Sequence, residues 1–131
     1  MSGQGDAMPP DEAPVIRTIA MPADTNPAGD IFGGWLMAHM DLAAGNIATR
    51  RARGRTVTVA VDGMAFLKPV LVGDEVSFYG RIVETGRTSM KIEIEAWRRR
   101  REEDVSSRVT AAVFTFVAIG ADRRPRALPE S

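Results

Sequence analysis

The stretch from Asn26 to Ala48 constrains this chain more than any other. Asn26-Pro27-Ala28-Gly29-Asp30 is turn chemistry. It feeds a run from Ile31 to Ala48 that is apolar nearly all round and carries one carboxylate, Asp41, at its middle. A helix of that composition belongs inside a core. An unpaired carboxylate buried there costs on the order of several kcal/mol, so Asp41 requires a partner or a use.

Helical spacing sharpens the point. At about 100° per residue, Gly34, Ala38, Asp41, Gly45 and Ala48 share one stripe, while Trp35, Leu36, Met40, Ala43 and Ile47 cover much of the rest. Every stripe member except the acid has a tiny side chain. The stripe therefore makes a shallow groove holding one carboxylate, which suits a thin, extended ligand. His39 lies about 200° round the helix from Asp41, so the two cannot form a dyad, and a core or interface histidine is the expected role.

The chain has 131 residues, the size of one domain with a single core. Lys plus Arg and Asp plus Glu number 17 each, so no global field attracts nucleic acid or a membrane, and neither is expected as a partner. There is no cysteine, which excludes thiol nucleophiles, disulfides and zinc–thiolate sites. The single histidine leaves no multi-histidine metal centre, and no metal or cofactor is expected. No apolar run reaches membrane-spanning length and the first residues lack signal-peptide character, so a cytoplasmic location is expected.

In chain order, residues 1–13 are rich in Gly, Pro and acids and are expected to form a disordered arm. A domain over 14–120 follows, then a basic tail over 121–131, expected to be loosely held. Val15 to Met21 is a first strand, and Asp24 orders the turn after Pro22. The central helix starts between Ile31 and Gly34, with Asp30 available as a cap, and ends near Arg53-Gly54. Thr56 to Asp62 alternates strictly, and Gly63 is expected to be a bulge before Met64-Ala65-Phe66-Leu67. Further strands run over Asp74 to Val83, Ser89 to Trp97 and Ser107 to Ile119, the last apolar on both faces as in a central strand or one at a subunit contact. One helix and several long strands on short turns make an α+β domain in which an antiparallel sheet curls round the helix. The doubly apolar last strand and the unpaired edges suggest that a second copy of the chain completes the structure.

Several blocks in this order carry a family resemblance. Met21-Pro22-Ala23-Asp24-Thr25-Asn26, then Gly29 to Trp35, then Asp41 resemble the YciA-type bacterial acyl-CoA thioesterases of the hotdog fold. Val57 to Val61, Phe66-Leu67-Lys68-Pro69, Val72-Gly73-Asp74, Gly86-Arg87-Thr88-Ser89 and Ala112 to Ala118 continue the resemblance. It implies hydrolysis of an acyl-CoA thioester, with coenzyme A as product, at sites shared between two subunits. It implies further that Asp41 is the catalytic carboxylate, that Asn26 works with it from the partner subunit, and that the chain is a homo-oligomer, a trimer of dimers. By the same resemblance Lys68, Gly86, Arg87 and Ser89 line the coenzyme A mouth.

Thioester hydrolysis needs water or a nucleophile at the carbonyl carbon and a donor for the oxyanion. A carboxylate serves as general base or attacks directly, and the sequence leaves both routes open. The expected oxyanion donor is a backbone N–H at Gly33 or Gly34, where a helix start offers free amides and glycine admits close approach. Phe32, Met37, Met40 and residues of Val57 to Val61, Val59 among them, are expected along the acyl chain, and the same side chains would serve equally well as plain core. Arg98 and Arg99 are weaker phosphate candidates, since a solvated strand end balanced by Glu102, Glu103 and Asp104 is the preferred account of that run. The rival reading is a non-catalytic acyl-CoA-binding regulatory module, which would need no acid on the helix and would ordinarily carry a DNA-reading domain.

Overall fold

The computed structural model describes residues 8–130, so most of the expected N-terminal arm lies outside the described residues. Strand β1 (Ile16–Ile19) and a 3-10 turn (Pro22–Asp24) precede helix α1 (Gly33–Ala52), and strands β2 (Thr56–Asp62), β3 (Glu75–Thr85), β4 (Ser89–Arg99) and β5 (Ser106–Ala118) follow. The strands form one sheet in the order β1-β3-β4-β5-β2, antiparallel at every pairing. Strand β5 is interior, between β4 and β2, in keeping with its two apolar faces.

The helix packs into the concave face of this sheet. Leu36, Met40, Ala43, Ala44, Ala48 and Ala52 are its buried positions, spaced three and four apart, and they meet Phe78, Ile92, Ile94, Phe114 and Phe116. Small residues on the helix let it lie close to the strands, while Phe78, Phe114, Met40 and Met90 fill the volume between. The rest of the helix is not core. Phe32, Met37 and Leu42 are exposed, Leu42 at 65%, so a helix apolar nearly all round presents an apolar face to solvent in the single chain.

Local details depart from expectation at four places. The helix begins with Phe32 as its cap residue and no side-chain cap bond, so Asp30 does not cap it. At its end Arg53, not Gly54, takes the left-handed conformation (φ 54°), and its N–H bonds the Thr49 carbonyl. The bulge in β2 falls between Thr58 and Ala60, while Gly63 (φ 78°) ends the strand, and Met64 to Leu67 form no strand. The expected anchor for that segment, ladder pairing, is replaced by two single bonds: Leu67 N–H to the Val109 carbonyl at 2.7 Å and Thr110 Oγ1–H to the Ala65 carbonyl at 2.6 Å.

The fourth departure is the C-terminal segment, which is not loosely held. Arg126 N–H bonds the Ala118 carbonyl, its Nε bonds the Ile119 carbonyl at 3.0 Å, and its Nη2 bonds the Ala52 carbonyl at 2.9 Å. Leu128 packs against the core and donates its N–H to the Arg87 carbonyl, while Arg51 Nη1 donates to the Pro129 carbonyl. A basic residue thus meets one of the carbonyls a helix end leaves without a partner. Composition alone pointed to a solvated tail because the acceptors are backbone atoms distant in sequence. Arg126→Ala is expected to destabilise the fold by about 1–3 kcal/mol through orphaned carbonyls. A lowered Tm at fixed protomer concentration would register it, and an unchanged Tm would mean that solvent meets those carbonyls as well.

Candidate active site

Asp41 is half-buried in a groove of about 610 Å³ between the outward face of α1 and strand β2. Leu42, Gly45, Asn46 and Thr49 continue its floor along the helix, and Thr56, Thr58 and Phe116 form one wall. Val15 and Ile16, next to or on the opposite edge strand, line it too, which is how far the sheet curls. Gly45 lies beside the Phe116 ring, and a Cβ there would meet it at 3.6 Å, an ordinary packing contact. Of the small-residue stripe read from the wheel only Gly45 joins Asp41 in this groove: Ala48 is buried against the sheet and the larger Leu42, Asn46 and Thr49 line the rest, so the groove runs beside the stripe rather than along it. The acid has a partner: Thr58 Oγ1–H donates to Asp41 Oδ1 at 2.6 Å. A charge-assisted bond of that length holds the carboxylate in one orientation while its second oxygen stays available.

Thr58 was not singled out by the sequence. The one signal was its place in an alternating strand, and alternation does not say which face meets the helix. Its pairing with Phe116 settles that, since cross-strand partners share a face and Phe116 is core.

His39 behaves as expected. Its Nδ1–H bonds the Trp35 carbonyl at 2.9 Å, and its ring stacks on Phe78 with centroids 5.5 Å apart, on the side of the helix away from Asp41.

The other expected residues fall into two groups at opposite ends of the molecule. At the N-terminal end of α1 stand Phe32, Gly33 and Gly34, the turn bearing Asn26, and Lys68. Asn26 Oδ1 accepts the N–H groups of Ala28 and Asp30, both at 3.0 Å, and Asp24 Oδ2 accepts the Met21 N–H, which together fix the turn into the helix. Ile31 N–H bonds the Val70 carbonyl, tying this turn to the loop that carries Lys68. Trp35 N–H closes on the Phe32 carbonyl, leaving the amides of Gly33 and Gly34 as the helix's free end. A Cβ at Gly33 would lie 3.2 Å from the half-exposed Phe66 ring, which would have to shift by a few tenths of an ångström, whereas Gly34 has nothing within 4 Å.

At the other end lies the β3–β4 turn. Gly86 N–H bonds the Ser89 carbonyl at 2.8 Å, Arg87 is exposed, and Ser89 pairs across to Val117. Lys68 instead sits beside Val109, eight residues back along β5, a separation of about 26 Å at strand rise. Within one chain Lys68 and the Gly86–Ser89 turn do not ring a single mouth. The reason is the direction of β2, which carries the chain from the C-terminal end of the helix to its N-terminal end before Lys68 is reached. Asp41 is likewise some eight residues, about 12 Å, along the helix from Gly33. Val59 is the bulge residue, 56% exposed on the edge strand.

The arginine run is largely structural. Arg100 pairs with Asp74, which is 2% exposed and also accepts the Leu71 N–H. Arg99 bonds Glu75 and the Glu103 carbonyl, and Arg98 Nε bonds the Pro69 carbonyl at 2.9 Å. Burial, then the neighbouring Arg100, holds the Arg98 guanidinium below its ordinary value, against smaller opposing effects of Asp74 and Glu103. The balancing acids for Arg99 and Arg100 are therefore on β3 and the residue before it, not in the following turn.

Among the described residues no helix is long and apolar enough to cross a membrane. Comparison with known proteins gives one consistent answer. The model of the thioesterase superfamily matches residues 28–105. The acyl-CoA thioester hydrolase YciA of Escherichia coli K12 is 52% identical over 118 residues, 88% of this chain and 89% of that one. The crystal structure of y2039 from Yersinia pestis, a hexameric thioesterase, superposes with a TM-score of 0.88 at 52% identity, covering 93% of this chain and 99% of that chain. HI0827, a hexameric broad-specificity acyl-coenzyme A thioesterase solved as an aspartate-to-alanine mutant, superposes with a TM-score of 0.86 at 45% identity, covering 91% and 88%. With a curled antiparallel sheet round one helix, and with α1 and strands β2 to β4 all inside the matched segment, this chain belongs to the thioesterase superfamily and has its hotdog fold.

Proposed function

We propose that the protein is an acyl-CoA thioesterase, converting an acyl-CoA and water to a free carboxylic acid and coenzyme A. The observation that carries this reading is a half-buried carboxylate, Asp41, fixed by Thr58 in an open groove of a thioesterase fold. Asp41 activates the attacking water as general base or attacks the carbonyl itself. The amides of Gly33 and Gly34, at the positive end of α1, are the oxyanion donors, and Asn26 acts beside them.

These groups lie too far apart along one helix to meet on one carbonyl, and the edge strand suggests how they come together. β2 is unpaired on one side and leaves Val57, Val59 and Val61 exposed, as Leu42 and Met37 are on α1. Such an apolar edge is covered in a working protein. Antiparallel pairing of two β2 edges about a two-fold axis sets the N-terminal end of one subunit against the Asp41 end of the other. Asp41 of one subunit and Asn26, Gly33 and Gly34 of the next then share one site. In the same arrangement Lys68 of one subunit approaches Arg87 and Ser89 of the other, so that the phosphates of coenzyme A meet cations from both. Three such dimers give the hexamer, the assembly of y2039 and HI0827.

The test is release of coenzyme A from acyl-CoAs of increasing chain length, followed with a thiol reagent. The chain contains no cysteine and contributes no background. Turnover is expected, and its profile identifies the acyl class. Tight binding of acyl-CoA without release would overturn the hydrolase in favour of a binding module.

A further inference from the structure

We infer that the segment from Arg126 to Pro129 braces the turn between β3 and β4, which makes Leu128 a positioning residue for Arg87. The inference rests on the proposal that Arg87 meets the phosphates of coenzyme A. Three observations carry it.

The first is how the turn is held. Within itself it closes through one bond, Gly86 N–H to the Ser89 carbonyl at 2.8 Å. Its two central carbonyls are met from outside: that of Thr88 by Ala118 N–H, at the end of β5, and that of Arg87 by Leu128 N–H, both at 2.9 Å. The Arg87 side chain is exposed and makes no hydrogen bond or ion pair among the described residues. Its guanidinium is therefore aimed by its backbone, and the group that fixes this backbone from outside is Leu128.

The second is how firmly the brace itself is seated. Gly120 N–H bonds the Arg124 carbonyl and Ile119 bridges to Pro125, so the chain doubles back on the end of β5. Arg126 then donates to the carbonyls of Ala118, Ile119 and Ala52, and Arg51 Nη1 donates to the Pro129 carbonyl at 2.6 Å. Leu128 lies between these two fixtures with its side chain packed against the core. The third is what the brace joins. Arg126 and Arg51 tie it to the C-terminal end of α1, the helix that carries Asp41, while Leu128 ties it to the turn that carries Arg87. The acid and the cation of one subunit are thus held in a fixed relation before any ligand arrives. A coenzyme A that binds across both has less of the protein left to order, and this raises affinity without adding a contact.

The experiment compares wild type with Leu128→Ala, which removes the side chain that seats the brace, with Leu128→Met, which keeps its volume, and with Arg51→Met, which frees the far end and leaves the turn and the segment unaltered. Each is assayed on an acyl-CoA and on the same acyl group carried by pantetheine, which has the thiol arm and lacks the phosphates. For Leu128→Ala, KM for the acyl-CoA is expected to rise about five- to tenfold with kcat within about twofold, and KM for the acyl-pantetheine to stay at the wild-type value. Leu128→Met is expected to restore KM, and Arg51→Met to raise it about threefold, again on the acyl-CoA alone. Equal changes on the two substrates would overturn the inference and leave Leu128 as packing only, and so would a wild-type KM for the acyl-CoA in both Leu128→Ala and Arg51→Met. Where Leu128→Ala yields no folded protein, Arg51→Met decides alone. A second readout is independent of turnover: the affinity for coenzyme A itself, by calorimetry, is expected to fall in Leu128→Ala and Arg51→Met and to recover in Leu128→Met, and wild-type affinity in all three would overturn the inference. The same fall in a protein that releases no coenzyme A from acyl-CoA would uphold the brace and sink the hydrolase reading instead.

Discussion

Replacing Asp41 with asparagine is expected to lower kcat for acyl-CoA hydrolysis by about 10²- to 10⁴-fold. Asparagine keeps the shape of the side chain and the oxygen that accepts from Thr58, so the groove is preserved and only the anion is lost. A general base and a nucleophile both fail in this variant, since the amide neither takes the proton from water nor attacks a thioester. Binding has a different origin. In the proposed complex the phosphates of coenzyme A are met by cations away from the helix acid, so the affinity for the product should stay within about threefold of wild type. Coenzyme A release by thiol reagent and product binding by calorimetry, on the same preparations, separate the two effects. Wild-type turnover in Asp41→Asn would remove the acid from the mechanism. A joint loss of turnover and binding would assign Asp41 to the ligand's support.

The helix, its acid and the order of the strands were legible in the sequence because each is set by local pattern. A period of 3.6 places Leu36, Met40, Ala43 and Ala44 on one face, a period of two marks β2 and β4, and a run apolar on both faces marks the interior strand β5. The turn before the helix was legible too, since Asn26 and Asp24 bond amides only two to four residues away. What escaped depends on pairs far apart in the chain. Thr58 acquires its role only from a register with Phe116 and a bulge one residue later. Arg100 and Asp74 are 26 residues apart, and a run of four arginines reads as a solvated patch until the end of β4 lies beside the start of β3. Arg126 escaped because its acceptors are carbonyls, which composition does not register.

The largest remaining effect concerns which chain supplies which group. Asp41→Asn and Asn26→Ala are each expected to be nearly inactive alone, the second because it removes a group set beside the proposed oxyanion donors and loosens the turn held through Ala28 and Asp30. Co-folding the two in equal amounts distinguishes a shared site from a self-contained one. If each site draws its carboxylate from one subunit and its Asn26, Gly33 and Gly34 from the other, a mixed dimer holds one site with both changes and one with neither. Random pairing makes half of the dimers mixed, and half of their sites are intact, so about a quarter of wild-type activity should return. A site built within one chain has no such route, because every copy carries one defect, and the mixture should stay as inactive as its parents. The geometry favours recovery. Asp41 and the free amides of Gly33 and Gly34 are fixed on one rigid helix about 12 Å apart, and no side-chain motion closes that distance. A second helix, delivered by the exposed edge of β2 as proposed, would.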